Sequence, residues 1–398
     1  SHFGSSWRLG TSSSSWRCMM SISHTWSSAA YGSMPTVQQT LHRQGFVGIA
    51  LHRRSFGLLK QPMRARGEFV VTALLVCPRG LAMGRRLHRG GATCKAHATG
   101  HMDEDASVRR SAIKTLVDVG LDSEEAEASV RWLLRAAKVQ GGKEWQAKFE
   151  EFISRRKLRE PVQYIVGTWP FYPLSAELRV QPPVLIPRPE TEELVDWVIA
   201  WYANQSTPRR ILDVGCGTGA IVLALLSAFP SAVGTAIDPN PTAVNLTREN
   251  ALRCGVAARL EVMQAAVEDA WHIDAGCTEQ GYDLIVSNPP YIPSAELEGL
   301  QAEVRCFEDQ GALDGGSDGL DVVQALLLSA KHFACPGAQV FMELHHTHPS
   351  LFQAIADGAV SQRRDNRNEL LHEADMNLVG TASDTAGHQR FVQLSYRK

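Results

Sequence analysis

The 398-residue sequence lacks the features that would assign it to several broad classes of protein. Its eight cysteines include no CxxC pair, so their pattern indicates neither a zinc site nor a disulfide framework. Its longest apolar run, 69–77, has nine residues, whereas a membrane-spanning helix needs about 20. Charged residues make up 21% and hydrophobic residues 44%, which is typical of a folded chain rather than a disordered one. We therefore expect a folded protein with no metal site and no membrane partner.

Acidic residues are almost absent from the first 102 positions. This segment has thirteen Lys and Arg but one acid, Glu68, and so carries a net charge of +12. The other 296 residues have 27 bases and 41 acids, which give a net charge of −14. Because a phosphate backbone attracts clustered Lys and Arg, the acidic remainder argues against stable nucleic-acid binding.

Residues 1–102 are also rich in Ser and have no sustained apolar period. Twelve Ser fall within the first 40 residues. This composition is typical of an organelle transit peptide. A nucleic-acid-binding arm is the alternative, but such arms are usually denser in Lys and Arg. We expect 1–102 to be a disordered leader that directs import into an organelle.

Helical periodicity begins after this leader and predicts a small bundle over 103–169. Apolar residues at spacings of three to five mark one face of each helix, and Asp122 and Glu125 have the spacing of a helix cap. The bundle is too small for much chemistry, so it is either a packing cap or a docking domain for a macromolecular substrate. Prolines then punctuate 170–185, where they predict a hairpin linker.

From about Ile186 onward, apolar strand patterns alternate with helical ones. Alternating strands and helices imply right-handed crossovers and a parallel sheet covered on both faces. Two late segments, around 377–381 and 391–396, are joined by a polar turn and could pair antiparallel. The predicted fold class of 186–398 is therefore α/β, a doubly wound domain with a small hairpin at its edge.

A glycine-rich turn, Gly215-Cys216-Gly217-Thr218-Gly219, follows the strand pattern at 211–214. Glycines at alternate positions let a backbone approach a ligand closely at a helix N-terminus. Asp238 ends the next strand, where a carboxylate can accept hydrogen bonds from ribose hydroxyls. The spacing is GxGxG rather than the GxGxxG of a dinucleotide site. The pattern favours S-adenosyl-L-methionine over NAD as the cofactor.

The stretch Asn288-Pro289-Pro290-Tyr291 directly follows another strand, at the carboxyl end where open α/β sheets bind ligands. Its prolines fix the backbone and expose the Pro289 carbonyl, and the Asn288 side chain offers a second carbonyl. Two adjacent acceptors suit a planar NH₂ group, whose face Tyr291 can cover. Because these hydrogen bonds raise electron density on a poorly nucleophilic nitrogen, the four residues are candidate catalytic residues for alkylating an amide or aromatic amine. The alternative is a stiffened turn.

The chain from about 105 to 398 resembles the HemK/PrmC family, the release factor glutamine methyltransferases. The resemblance rests on five stretches in the family's order: 160–172, 185–198, 213–221, 285–292 and 312–321. It implies a helical bundle, a hairpin linker and a Rossmann-like methyltransferase domain. It also implies methylation of the glutamine side-chain nitrogen in the GGQ motif of a peptide-chain release factor. The family's cofactor contacts map to Gly215–Gly219, Asp238 and Asn288, and its substrate contacts to Asn288–Tyr291.

Three stretches depart from the family's pattern. Many members of the family have an acid and an aromatic residue near the adenine of the cofactor, whereas 264–267 reads QAAV here. Val267 is the candidate contact with the adenine, and Glu268 or Asp269 could replace the missing acid. Glu308-Asp309 replaces the usual Glu-Pro. The histidines of 345–348 leave a strand end, whereas a metal site needs converging ligands, so we expect a solvated loop there.

Taken with its leader, the sequence predicts a monomeric methyltransferase of the mitochondrial matrix, with a plastid as the less favoured location and a release factor as the protein partner. One alternative is an adenine methyltransferase acting on DNA or RNA, which would use the same acceptor pair but needs a basic target-reading surface. The other is a non-catalytic cofactor-binding scaffold in organelle translation. The intact stretch Asn288–Tyr291 argues against the scaffold.

Overall fold

The computed structural model describes residues 99–272, 281–358 and 369–397. The predicted leader, 1–102, lies outside these ranges except for its last four residues, which begin the first helix. The described residues belong to one compact unit. Within the described ranges, no helix is both long and apolar enough to cross a membrane.

Three helices form the N-terminal bundle, as the periodicity predicted. Asp122 caps the second helix by accepting the backbone N–H of Glu125 at 2.9 Å, which satisfies one of the free donors at a helix N-terminus. Leu116, Leu133 and Phe152 are buried between the helices and form the core of the bundle. The three helices are α1 (Thr99–Val117), α2 (Ser123–Gly141) and α3 (Trp145–Lys157).

A short helix and a two-stranded hairpin connect the bundle to the larger domain. The helix α4 (Val162–Val166) was not predicted and ends at Gly167, whose φ is 83°. Strands β1 (Thr168–Trp169) and β2 (Leu178–Arg179) pair antiparallel. The hairpin therefore begins two residues before the predicted linker, and the chain beyond β2 runs on without regular structure to the next helix.

The larger domain is built on a seven-stranded sheet whose order is β5-β4-β3-β6-β7-β9-β8. The strands from β3 to β7 are parallel, β9 is antiparallel to β7, and β8 is antiparallel to β9. This confirms the α/β fold class and the hairpin at the sheet edge. The strands are β3 (Arg210–Val214), β4 (Val233–Asp238), β5 (Leu260–Gln264), β6 (Tyr282–Ser287), β7 (Ala334–Glu343), β8 (Met376–Ser383) and β9 (Gln389–Tyr396).

Helices cover both faces of this sheet and bury two separate apolar cores. Pro189 opens α5, although the prolines of this region predicted extended chain. Proline is tolerated there because the first residue of a helix has no N–H partner to lose. The helices are α5 (Pro189–Tyr202), α6 (Ala220–Ala228), α7 (Pro241–Arg253), α8 (Ala302–Phe307), α9 (Asp321–Ala330), α10 (His348–Ala356) and α11 (Leu370–Glu373).

The histidine run after β7 is only partly the solvated loop that the sequence predicted. His346 is exposed and His345 half-buried, whereas His348, the first residue of α10, is buried. Its Nε2 lies 3.0 Å from the carbonyl oxygen of Asp318. Across the described ranges, no group of three or more His, Cys, Asp or Glu side chains is placed to hold a metal ion.

Candidate active site

A cavity of about 430 Å³ opens at the carboxyl ends of β3, β4 and β6. Parallel strands of a doubly wound sheet bind ligands at this edge, beside the point where the strand order reverses. One wall is apolar, from β4, α7, α9 and the segment after β5, and includes Ile237, Ala243, Ala265, Ala266, Val267 and Val322. Seven of the sequence-predicted site residues line the cavity: Gly215, Gly217, Asp238, Val267, Asn288, Pro289 and Pro290.

The glycine turn between β3 and α6 forms the floor of this cavity. Gly215, Gly217 and Gly219 have φ values of 74°, 55° and 82°, a region that side chains with a Cβ rarely adopt. A Cβ added at Gly215 would meet no atom within 4 Å, so the turn presents open backbone to the cavity. The turn is therefore shaped to let a ligand lie directly against the main chain.

Asp238 sits at the end of β4 and holds this turn in place. Its two carboxylate oxygens accept the backbone N–H groups of Gly217 at 2.9 Å and Asn240 at 2.8 Å. Burial raises the pKa of Asp238, and these two hydrogen bonds counteract the shift. Each oxygen keeps a lone pair that can accept a further hydrogen bond, so the carboxylate can bind the hydroxyls of a ribose.

Asp213, one residue before the end of β3, lies buried under the same turn. Its Oδ2 accepts the N–H of Val222 at 3.2 Å, while its Oδ1 has no hydrogen-bond partner in the described structure. Burial raises the pKa of Asp213 to about 7. The sequence reasoning did not select this residue, although an aspartate inside an apolar strand is itself a signal.

Three of the predicted cofactor residues do not line the cavity. Cys216 and Thr218 are buried and Gly219 caps α6, so their contribution is to the shape of the turn. Thr247 and Asn250, which the sequence reasoning missed, support the turn from α7. The Thr247 hydroxyl donates to the Gly217 carbonyl at 3.0 Å, and Asn250 Nδ2 donates to the Thr218 carbonyl at 2.9 Å.

A second cavity, of about 380 Å³, adjoins the first. The two cavities share Leu185, Asn288, Pro289 and Ala312 among their lining residues, so Asn288 and Pro289 stand at the boundary between them. Tyr291 lines only the second cavity. All four predicted catalytic residues thus line one or both of two adjoining cavities, the first of which contains the glycine turn.

On the side away from the cavities, Asn288 belongs to a buried hydrogen-bonded chain. Asn288 Nδ2 donates to Thr191 Oγ1 at 3.1 Å, and the Thr191 hydroxyl donates to Glu343 Oε2 at 2.7 Å. Tyr291 donates its hydroxyl to Glu343 Oε1 at 3.3 Å. Burial raises the pKa of Glu343 to about 7 and also raises the pKa of Tyr291. Neither Thr191 nor Glu343 was predicted from the sequence.

Of the pair Glu308-Asp309, which departs from the family's pattern, Asp309 lines the first cavity. The Asp309 backbone N–H donates to the Pro183 carbonyl at 2.7 Å, a bond that the proline usual in the family could not make. The Asp309 carboxylate accepts from Asn240 Nδ2 at 2.6 Å. Glu308 accepts from the Arg188 guanidinium at 2.7 Å. These bonds fasten the segment after α8 to the linker and to α7.

Glu268 and Asp269, the two acids proposed to replace the missing adenine contact, differ in their position relative to the first cavity. Val267 is buried and Glu268 is exposed, and both line the cavity. Asp269 is also exposed but is not among the lining residues. Of these two acids, only Glu268 is therefore placed to contact a ligand beside Val267.

Comparison with known proteins gives a consistent picture. Residues 199–306 match the family model described as Methyltransferase small domain. The chain is 41% identical over 253 residues to the human MTRF1L release factor glutamine methyltransferase, covering 61% of this chain and 70% of that protein. It is 36% identical to the release factor glutamine methyltransferase of Gloeobacter violaceus, covering 60% of this chain and 76% of that one. It is also 36% identical to that of Caulobacter vibrioides, covering 62% and 77%. The chain belongs to the family of release factor glutamine methyltransferases.

Proposed function

We propose that this protein methylates the side-chain amide nitrogen of the glutamine in the GGQ motif of an organellar release factor. As a member of its family, it is a protein-glutamine methyltransferase that uses S-adenosyl-L-methionine. The observation that carries the proposal is the position of Asn288 and Pro289 at the boundary of two adjoining cavities. One cavity suits the cofactor and the other suits an incoming side chain, so the acceptor nitrogen meets the methyl donor between them.

The residues of the first cavity fit S-adenosyl-L-methionine. Asp238 would accept hydrogen bonds from the ribose hydroxyls, and the apolar wall around Val267 would hold the adenine. The open backbone at Gly215 and Gly217 would accommodate the methionine part, close to the buried carboxylate of Asp213. When bound, the cofactor supplies an electrophilic methyl group.

The chain's own work is to orient and polarise the substrate amide. The Asn288 side-chain carbonyl and the Pro289 backbone carbonyl would each accept one hydrogen of the glutamine NH₂ group. An amide nitrogen is a poor nucleophile because its lone pair is delocalised, and two fixed acceptors return electron density to it. Preorganised dipoles of this kind, in a site that excludes water, are typically the largest contribution to catalysis. Tyr291 lines the second cavity and would cover the face of the amide.

The two alternative functions gain less support. An adenine methyltransferase would need a basic surface to bind DNA or RNA, yet residues 103–398 carry a net charge of −14. A scaffold without catalysis has no use for an acceptor pair beside a cofactor cavity. The names of the curated relatives also favour a release factor as the substrate.

Substitution of Asn288 tests the proposed activity. The assay incubates the protein with methyl-labelled cofactor and either a release factor or nucleic acid, and then maps the label. Asn288→Ala removes one acceptor and should lower kcat about 10²- to 10³-fold while changing cofactor affinity much less. Asn288→Asp keeps an acceptor oxygen and should retain partial activity.

The control substrate is a release factor whose GGQ glutamine is replaced by alanine, which should take up no label. Full activity of Asn288→Ala would contradict the proposed mechanism. Label found on adenine instead of glutamine would contradict the proposed substrate.

We also propose that residues 1–102 direct the protein into the mitochondrial matrix, where it acts as a monomer. The support is the +12 charge of this segment and its single acid. Because α1 begins at Thr99, a deletion of 1–98 is the better test than one of 1–102. This deletion should abolish import and leave methylation in vitro intact. Continued import, or import into plastids, would refute the location, and light scattering well above 43.7 kDa would refute the monomer.

A further inference from the structure

We infer that Thr191 and Glu343 set which end of the Asn288 side-chain amide faces the substrate, and that Thr191 is thus a positioning residue for methyl transfer. This inference rests on the proposed function of Asn288. Thr191 lies in the first turn of α5 and Glu343 is the last residue of β7, so both come from elements distant in sequence from the stretch 288–291. Neither lines the two cavities, so neither can touch the substrate directly.

The directions of these hydrogen bonds follow from the chemistry of Glu343, the last member of the hydrogen-bonded series. Glu343 is 1% exposed, and its carboxylate accepts on both oxygens, from Thr191 and from Tyr291. The hydroxyl hydrogen of Thr191 is therefore used toward Glu343 at 2.7 Å. A hydroxyl has one hydrogen, so the Thr191 oxygen is left as an acceptor on the side of Asn288.

This leaves one arrangement for the Asn288 amide. Its NH₂ group must face the Thr191 oxygen, to which it donates at 3.1 Å. The reversed amide would place its carbonyl oxygen against the lone pairs of the hydroxyl. With the NH₂ group held at the back, the Asn288 carbonyl is directed away from Thr191, toward the cavities that Asn288 lines.

The orientation matters because an asparagine amide is nearly symmetric in shape but opposite in polarity at its two ends. A carbonyl that faces the substrate accepts a hydrogen from the glutamine NH₂ group. An NH₂ group in the same position would oppose it, donor against donor. The arrangement holds when Glu343 is ionised and also when a proton resides on Oε1, because Oε2 then still accepts from Thr191.

The same carboxylate also places the aromatic ring that covers the substrate. Tyr291 donates its hydroxyl to Glu343 Oε1, so Asn288 and Tyr291 are anchored to one buried group through its two oxygens. Buried polar chains of this kind fix a single conformation when every member has its partner. The Asn288 carbonyl and the Tyr291 ring are thereby fixed in position relative to each other.

Three variants of the full-length protein test the inference. Thr191→Val removes the hydroxyl at nearly constant volume, and Thr191→Ser keeps the hydroxyl but removes the methyl group. The matched control is Thr235→Val, which removes the hydroxyl of another buried threonine, bonded to Tyr282 at 2.8 Å and outside both cavities. For each variant, kcat and KM are measured for methylation of a GGQ-containing release factor. Cofactor affinity is measured separately by calorimetry.

We expect kcat of Thr191→Val to fall about 10- to 100-fold, because a misplaced reacting group costs rate rather than affinity. The KM for the release factor and the cofactor affinity should change less than about threefold. Thr191→Ser and Thr235→Val should keep most of the wild-type kcat. Equal loss in Thr191→Ser and Thr191→Val would overturn the inference, because packing of the methyl group would then explain both. Unchanged kcat in Thr191→Val would overturn it as well.

A spectroscopic measurement separates this inference from the proposed function. In protein labelled with ¹⁵N-asparagine, the side-chain NH₂ signal of Asn288 is identified by its absence from Asn288→Ala. Hydrogen bonding to Thr191 should slow exchange of these protons with water, and Thr191→Val should accelerate it at least tenfold. Equal exchange rates would overturn the inference whatever the substrate is, whereas a wild-type protein inactive on release factor would overturn only the function. If Thr191→Val does not fold, Thr191→Ala replaces it, and its kcat and proton exchange rate are compared with those of Thr191→Ser.

Discussion

Asp238 has two tasks that a single substitution can expose. It holds the glycine turn through the N–H groups of Gly217 and Asn240, and it is the proposed acceptor for the ribose. Asp238→Ala should weaken S-adenosyl-L-methionine binding about 10- to 150-fold, since hydrogen bonds to a charged group contribute roughly 1.5–3 kcal/mol. Calorimetry measures the affinity, with Asp196→Ala, an exposed aspartate of α5, as the control. An affinity equal to that of the control would remove Asp238 from the site.

Asp213 predicts an unusual dependence of stability on pH. Its pKa is raised from the ordinary 3.8 to about 7 by burial, so between these values the folded protein binds more protons than the unfolded chain. The contribution of Asp213 to stability is therefore present below about pH 4 and lost as the pH rises through about 7, by up to about 1.4 kcal/mol per pH unit.

Asp213→Asn removes this titration while its amide oxygen can still accept from Val222. The difference in unfolding free energy between wild type and variant should shift in favour of the variant from pH 4 to 7 and level off above that. Urea unfolding at a series of pH values measures it. A difference that does not change with pH would contradict the raised pKa. Glu343, whose pKa is also about 7, titrates in both proteins and so cancels from the comparison.

Some site residues could be predicted from the sequence and others could not. The glycine turn, Asp238 and the stretch 288–291 carry their chemistry in local patterns, and the structure gathers most of them around one cavity. Thr191 could not be found in this way, because its partners lie 97 and 152 residues further along the chain. The pairing of β6 with β7, and the packing of α5 against β7, bring these three positions together.

At the scale of elements, the join between the glycine turn and α6 leaves no room for a side chain. A Cβ added at Gly219 would lie 2.9 Å from Thr247 Cγ2, in addition to the strain of a φ of 82°. Gly255, after α7, has a similar φ of 72° but no atom within 4 Å of an added Cβ. The pair therefore separates backbone strain from steric conflict.

We expect Gly255→Ala to destabilise the protein by about 1–2 kcal/mol, the usual cost of a left-handed residue with a Cβ, and to leave cofactor affinity unchanged. Gly219→Ala should destabilise it more and also weaken cofactor binding, because displacement of Thr247 disturbs its bond to the Gly217 carbonyl. Thermal melting and calorimetry measure the two effects. Equal effects of the two substitutions on affinity would show that the contact with Thr247 has no bearing on the site.

Strand and helix predictions were most accurate where the pattern was local. β3 and β4 match the strands predicted at 211–214 and 232–238 to within one residue, because each is a mainly apolar run between turns. For β7 the pattern predicts a strand at 339–344, but the strand starts at Ala334, in a stretch that contains Pro336 and Gly337. Pairing with β6 extends it, and the register shift between Tyr282 and Leu284 accommodates the irregular start.

At the scale of the whole molecule, an ion pair links the helical bundle to the methyltransferase domain. Arg156 of α3 is 2% exposed and donates to Glu303 of α8 at 2.8 Å, and Arg159 donates to the other oxygen of Glu303 at 2.8 Å. The sequence predicted both domains but not their contact, since neither charge is distinguished by its local pattern. A cavity of about 320 Å³ adjoins this link and is lined from both domains.

Glu303→Gln tests whether this link matters for function as well as stability. Burial opposes ionisation of Glu303, but hydrogen bonds from Arg156 and Arg159 outweigh it and lower the pKa below the ordinary 4.5. Its contribution is therefore present above about pH 4.5 and lost as the pH falls through the lowered pKa. At pH 7 the substitution should cost about 1.5–3 kcal/mol of unfolding free energy, while Glu127→Gln, at an exposed acid of α2, should cost little.

The functional consequence depends on what the bundle does. If it docks the release factor, a loosened link should lower kcat/KM for the intact release factor several-fold and hardly change methylation of a short GGQ peptide, which cannot reach the bundle. If the bundle is only a packing cap, the two substrates should be affected alike. A parallel loss on protein and peptide would thus leave the ion pair a structural role and remove the bundle from substrate recognition.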